Sequence, residues 1–248
     1  MDSDRVPRPA SRVPGFSMKN LIIAIDGPSG VGKSTLSKLL ARELGYLNLD
    51  TGAMYRAVAL AAARSGIDAS DHAALQELCK DVFIEFSRKG NEEFVLLNGE
   101  DVSRAIRTPE ISLLTAAVAA CPDVRKAMVE RQRELGNAGG VVLEGRDIGT
   151  VVFPQADVKF FLKASSEVRG QRRFLELQSQ GAEVGLARTI ADVKARDSAD
   201  INRLTSPLKQ ADDAVLIDTT ELDIPQVLKH MLTVIQETRN PGQADQPG

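Results

Sequence analysis

Gly27-Pro28-Ser29-Gly30-Val31-Gly32-Lys33-Ser34, followed by Thr35, satisfies the spacing G-x-x-x-x-G-K-[ST] in full. Glycines at these positions let successive backbone N–H groups turn inward onto a phosphate, while the N-terminus of the next helix adds partial positive charge. Lys33 can then reach the outer phosphates of a nucleoside triphosphate, and the Ser34 hydroxyl can ligate Mg²⁺. The motif carries weight only between a strand and a helix. Both are predicted: an unbroken apolar run over 21–25 ends at Asp26, and Leu36, Leu39, Leu40 and Leu44 recur at helical spacing after the loop. Such a loop serves kinases, switches and motors alike. A guanine-reading switch would also need N-K-x-D, and the sequence contains none. The apolar run 141–143 ends in Glu144, which is either a Walker-B-like acid for the metal's water shell or an ordinary strand-end carboxylate.

Arginine is the second chemical signal. The chain has 20 Arg against 11 Lys, and half of the arginines lie between Arg125 and Arg203. A guanidinium grips phosphate through two parallel N–H bonds and neutralises charge that develops during phosphoryl transfer. Arg196, Asp200 and Arg203 fall at i, i+4 and i+7, so the spacing predicts one shared helical face. A surface ion-pair ladder would have the same spacing. Arg169, Arg172 and Arg173 form another cluster before a polar, glycine-containing stretch (Ser179 to Gly185) suited to a mobile lid.

The elements that must hold these residues follow from the apolar pattern. Runs at 21–25, 46–49, 141–143, 158–162 and 214–217 alternate with helical patterns near 33–44, 53–65, 122–136, 165–180, 187–203 and 225–238. Continuous apolar strands separated by helices predict a five-stranded parallel sheet covered on both faces. The segments 82–86 and 94–97 flank a polar turn with Gly90 and Asn91, which predicts a hairpin inside a small antiparallel insert over about 75–115. Residues 1–19, rich in proline, read as a disordered extension, with Met18 just before the first strand as the alternative start; the tail 239–248 reads the same way.

Composition removes several function classes. The 248 residues are 43% hydrophobic and 26% charged with net charge −3, so a globular chain of one compact domain or two small ones is expected rather than disorder or a duplex-binding surface. There is no tryptophan and aromatics are 4%, which leaves no stacking platform for single strands. No apolar run approaches a membrane span. Cys79 and Cys121 read as core or near-core residues in a reducing compartment, and His72 and His230 cannot build a metal cluster.

AIDGPSGVGKST (24–35), LDTGAMYRA (49–57), PDVR (122–125), LEGRDIGTVVFP (143–154), VKFFLKAS (158–165), RRF (172–174) and RDSADINR (196–203) occur in order. With this series, residues 20–238 closely resemble the bacterial cytidylate kinases, P-loop kinases of nucleoside monophosphates. The resemblance implies that residues 27–35 hold the ATP phosphates, with Arg172 and Arg173 on the lid side near ATP. It implies that Arg56, Arg146 and Arg203 hold the CMP phosphate and the transferring group, and that Thr51 and Tyr55 line that site. Arg125 and Asp147 would read the cytosine edge, and Arg196 with Asp200 the ribose hydroxyls. Arg131 and Arg133 have no role in it and are expected to be solvated. A serine that helps recognise the cytosine amino group in the family falls on Ala116 here.

The combined expectation is a cytoplasmic, monomeric enzyme with Lys33, Arg146 and Arg203 as its catalytic residues. It would carry the ATP γ-phosphoryl group to CMP or dCMP with Mg²⁺, using the insert at 75–115 and a lid over about 170–190. The rival readings are a kinase for UMP, AMP or a small acceptor such as shikimate, and a non-catalytic ATP-binding regulator.

Overall fold

A computed structural model of the chain describes residues 20–240, apart from Asn91, Gln180 and Leu204. The extension over 1–19, with Met18, and the tail from 241 onward lie outside the described residues. In order, the elements are β1 (Ile22–Asp26), α1 (Lys33–Leu44), β2 (Leu47–Asp50), α2 (Thr51–Arg64), α3 (His72–Asp81), β3 (Ile84–Lys89), β4 (Glu92–Leu97), β5 (Glu100–Asp101), α4 (Pro109–Val118), α5 (Pro122–Gly136), β6 (Val141–Gly145), β7 (Val158–Lys163), α6 (Ser166–Ser179), α7 (Leu186–Ile201), β8 (Val215–Asp218) and α8 (Ile224–Arg239). A 3-10 turn at Ala105–Arg107 and a π-helical turn at Ile148–Val152 complete the set.

Five strands form a parallel sheet in the order β2-β6-β1-β7-β8. Alternation along each strand feeds both faces. Ile23 and Ile25 pack with Val142, Phe160, Leu36, Leu40 and Met231, on the side of α1 and α8, while Ala24, Val141 and Leu143 pack with Leu49 and Ile148 on the other. Two buried faces are why these strands read as unbroken apolar runs. The glycine-rich loop leaves the carboxyl end of β1, the central strand, as expected for an open α/β sheet. β3, β4 and β5 form a separate antiparallel sheet whose Ile84, Val95 and Leu97 join Ala57, Val58 and Leu75 in a third cluster.

The structure corrects several expected details. α2 begins at Thr51 rather than near 53, because Asp50 caps it, accepting from Ala53 N at 2.8 Å. The second half of the chain contains α7 only to Ile201. Asn202 ends it, with its side-chain amide donating back to Ser198 O at 2.8 Å, so Arg203 lies beyond the helix and the shared face reaches only Arg196 and Asp200. α3 and α4 were not foreseen. α4 carries a legible start, Pro109 at its first position after Thr108, whose hydroxyl accepts from Ile111 N.

Candidate active site

The phosphate loop turns through Gly27, Gly30 and Gly32, all at positive φ. Gly27 has no alternative, since a Cβ there would stand 2.3 Å from the Leu162 carbonyl of β7. Gly32 leads into α1 without a side-chain cap, which leaves the first N–H groups of that helix for a ligand. Lys33 is buried and its Nζ donates to Pro28 O at 2.7 Å. Burial, and then the Arg146 guanidinium, hold its ammonium well below the usual lysine range. Glu144 and Asp26 offset part of this, and an incoming polyanion would favour the ammonium further.

Two carboxylates flank the loop. Asp26, at the end of β1, accepts from Ile148 N at 2.9 Å and Gly149 N at 2.7 Å, and burial still pushes it up to about 6. Glu144, at the end of β6, accepts from Ser34 Oγ at 2.9 Å. Burial and then neighbouring Asp50 push it up to about 7. The strand-end Glu144 therefore faces the loop serine directly. Ser34 and Glu144 together offer a hydroxyl and a carboxylate oxygen, the hard donors a small divalent cation selects. Among the described residues no group of three or more His, Cys, Asp or Glu could hold a metal ion, so remaining ligands would have to come from substrate and water.

Beyond the loop, arginines crowd one cleft. Asp50 Oδ2 pairs with Arg56 at 2.9 Å. Arg146 Nε donates to Asp200 Oδ2 at 2.7 Å, and Arg203 Nη2 lies 3.4 Å from Asp200 Oδ1. Arg125 donates to Asp147 in a buried ion pair and lies 5.4 Å from the Tyr55 ring centroid. Burial pushes the Tyr55 phenol up to about 12. Arg196 keeps solvent contact, yet the enclosing cleft and then the Arg146 charge lower its guanidinium to about 10. Arg56 Nε, Arg125 Nε, and Arg203 Nε and Nη2 are buried without a hydrogen-bond partner. Orphan buried donors are costly, and four on three neighbouring guanidiniums could be satisfied by the oxygens of an anionic ligand.

Other predicted residues sit as follows. Thr51 is buried at the start of α2 and donates to Glu144 O at 2.6 Å, bolting α2 to β6. Arg172 is fixed near the loop, donating to Thr219 O at 2.7 Å, while Thr219 Oγ1 donates to Val31 O at 3.3 Å. Arg173 pairs with exposed Glu176 at 2.8 Å. Ala116 is exposed on α4, and neighbouring Thr115 donates its hydroxyl to Ile111 O at 2.5 Å, so it does not replace the missing serine. Arg133 is exposed and Arg131 partly so, as expected, yet both also make contacts the sequence did not foresee. Arg133 donates to Val152 O at 2.9 Å and Val151 O at 2.7 Å, holding the π-helical turn, and Arg131 covers the Phe83 ring at 4.7 Å. Sequence reasoning gave Asp26 no role, although an acid immediately before the glycine loop was the available signal, and it placed Arg169 in the lid cluster without foreseeing its contacts with Ser29 O and Asp197.

A model of the cytidylate kinase family matches residues 23–237. The cytidylate kinase of Syntrophotalea carbinolica is 64% identical over 219 residues, spanning 88% of this chain and 93% of that protein. The cytidylate kinase of a Geobacter species is 58% identical over 217 residues, with 88% and 93% covered. Among solved structures, an uncharacterized protein from Eubacterium ventriosum aligns at 13% identity with TM-score 0.50, over 87% of this chain and 98% of that one; this likeness concerns the fold alone. A phosphate loop on the central strand, an arginine cleft beside it and a family match across nearly all described residues agree: the chain belongs to the cytidylate kinase family.

Proposed function

We propose that this protein transfers the γ-phosphoryl group of ATP to CMP or dCMP, yielding ADP and CDP or dCDP. The observation that carries the reading is the set of guanidinium nitrogens on Arg56, Arg125 and Arg203 that stay without a hydrogen-bond partner beside their carboxylate pairs, gathered next to a phosphate loop with a buried lysine. One site suits a triphosphate and the other a monophosphate, in reach of each other through Arg146.

Backbone N–H groups of residues 27–35 cradle the triphosphate, with Lys33 leaving Pro28 O for its outer phosphates. Arg172 supports the ATP side through Thr219, with Arg173 further along the lid. Arg56, Arg146 and Arg203 grip the acceptor phosphate, and Arg146 and Arg203 also neutralise charge on the transferring group. Arg125 and Asp147 meet the cytosine edge beside Tyr55, while Arg196 and Asp200 hold the ribose. Thr51 keeps Arg56 and Tyr55 aligned by fixing the start of α2. No general base is required, because the acceptor phosphate is already ionised near neutral pH, so positioning and charge stabilisation suffice. Ser34 and Glu144 would hold Mg²⁺, which when bound would supply further neutralisation of the phosphate charge.

The stretch 75–115 serves as the monophosphate-side insert and 170–190 as the lid of one domain. ATP and CMP or dCMP are the partners of a monomeric, cytoplasmic enzyme without nucleic-acid or membrane partners; among the described residues no helix is long and apolar enough to cross a membrane. An ADP-release assay across CMP, dCMP, UMP, AMP and shikimate tests the reading. Turnover greatest with CMP and dCMP is expected; no turnover with any acceptor, or preference for another, overturns it.

A further inference from the structure

α6 and α7 carry residues of both nucleotide sites, Arg172 and Arg173 on one and Arg196 and Asp200 on the other. Three contacts make the helices one body. Gly170 lets their backbones touch: a Cβ there would lie 2.4 Å from Ile190 Cγ1 and 2.9 Å from Ile190 Cα. Lys194 pairs with Glu167 at 2.8 Å. Arg169, which is 5% exposed, forks Asp197 through Nη1 to Oδ1 at 3.0 Å and Nη2 to Oδ2 at 2.5 Å.

The same guanidinium hangs that body on the phosphate loop. Its Nη1 also donates to Ser29 O at 3.1 Å, and its Nε donates to Ala164 O at 3.0 Å at the end of β7. Gly30 faces the Arg169 backbone so closely that a Cβ would meet Arg169 Cβ at 3.2 Å. One side chain thus joins the apex of the loop, the exit of β7 and the middle of α7. Asp197 adjoins Arg196 and precedes Asp200 by one helical turn, so a displacement of Asp197 moves both acceptor-side residues.

Resting on the two-nucleotide reading above, we propose that Arg169 and Asp197 are a positioning pair that couples the sites. The pair holds α7 in register with the phosphate loop, so a triphosphate that fixes the Ser29 segment also fixes Arg196 and Asp200 for the acceptor. Coupling of this kind is reciprocal and typically amounts to 5–150-fold in affinity.

Calorimetric titration of CMP with and without a saturating non-hydrolysable ATP analogue and Mg²⁺ tests the pair. The intact chain is expected to bind CMP at least about fivefold more tightly with the analogue present. In Asp197→Asn, and in the milder Arg169→Lys that keeps the buried charge, this ratio falls below about twofold, while affinity for CMP alone stays within about twofold. The KM for CMP at saturating ATP rises correspondingly, and kcat falls about tenfold or more, consistent with lost alignment. Asp197→Glu, which retains both carboxylate oxygens, recovers part of the ratio. A purely structural pair would lower the melting temperature and leave the ratio intact. That result, or a ratio near one in the intact chain, overturns the inference. A chain that shows the coupling but transfers nothing to CMP would overturn the proposed function and leave the coupling standing.

Discussion

Replacing Asp147 with asparagine separates two roles that its position combines. The carboxylate is buried and accepts from Arg125 Nη2, while Arg125 itself is 3% exposed. Asparagine keeps one acceptor oxygen but removes the charge, leaving the guanidinium buried beside a neutral amide. Deleting one partner of a buried ion pair costs about 3–5 kcal/mol, and the retained acceptor places this change near about 3 kcal/mol. For a domain of this size that lowers the melting temperature by about 6–12 °C. Base discrimination is the second effect. The exocyclic amino group of cytosine donates to a carboxylate, whereas the carbonyl oxygen of uracil at that position is repelled. An amide can turn its NH₂ toward uracil. The ratio of kcat/KM for CMP over UMP should therefore fall about tenfold to several hundredfold, equivalent to about 1–3 kcal/mol. Ala116 offers no hydroxyl and Thr115 is engaged by its own helix, which places more of the discrimination on Asp147. Steady-state kinetics with both nucleotides, beside a melting curve, reads the two effects independently. If both activities fall together and the ratio is unchanged, Asp147 only neutralises Arg125 and the base-reading argument is wrong.

Lys33→Ala should reduce kcat about 10³-fold or more while shifting the melting temperature by no more than about 3 °C, since burial of the ammonium offsets much of what it gains from Glu144 and Asp26; near-normal turnover would refute the phosphate-loop assignment. Asp26 holds a proton in the folded state up to about pH 6 that the unfolded chain releases near 3.8. Folding stability should thus decline between about pH 4 and pH 6, with Asp26 contributing about 3 kcal/mol, and level off above; Glu144 extends the decline toward pH 7. Urea unfolding of Asp26→Asn should give a shallower decline, and an unaltered slope would remove Asp26 as its source. Gly27→Ala should cost at least about 2 kcal/mol, because its Cβ meets backbone, whereas Gly45→Ala, at similar handedness but in open space, should cost about 1 kcal/mol; equal losses in chemical denaturation would contradict the steric argument.

Apolar periodicity determined the parallel sheet directly. Ile23 and Ile25 face one layer and Ala24 the other, so strands buried on both sides had to appear as continuous runs. The phosphate loop was equally legible, because its chemistry needs glycine and lysine at fixed offsets within one short segment. Spacing also set the one-turn relation of Arg196 to Asp200. It failed at Arg203, where Asn202 turns its amide onto Ser198 O and stops the helix. The Asp50 cap of α2 was written locally but competes with an equally plausible later start.

The remaining features depend on approach in space. Arg125 meets Asp147 across 22 positions, Arg146 meets Asp200 across 54, and Arg169 reaches Ser29 across 140. A guanidinium can pair with any carboxylate or carbonyl that packing brings within about 3 Å, and no periodicity in the chain selects which. Arg133 illustrates this: its composition and position fit a solvated helix face, yet two backbone carbonyls of the π-helical turn end within its reach. Sequence determined the parallel-sheet strands, most of the helices and where the phosphate loop begins, but not α3 or α4. Tertiary packing alone decided which carboxylate each arginine meets and which of its nitrogens stay unpaired, because burial and partner geometry exist only after the layers close.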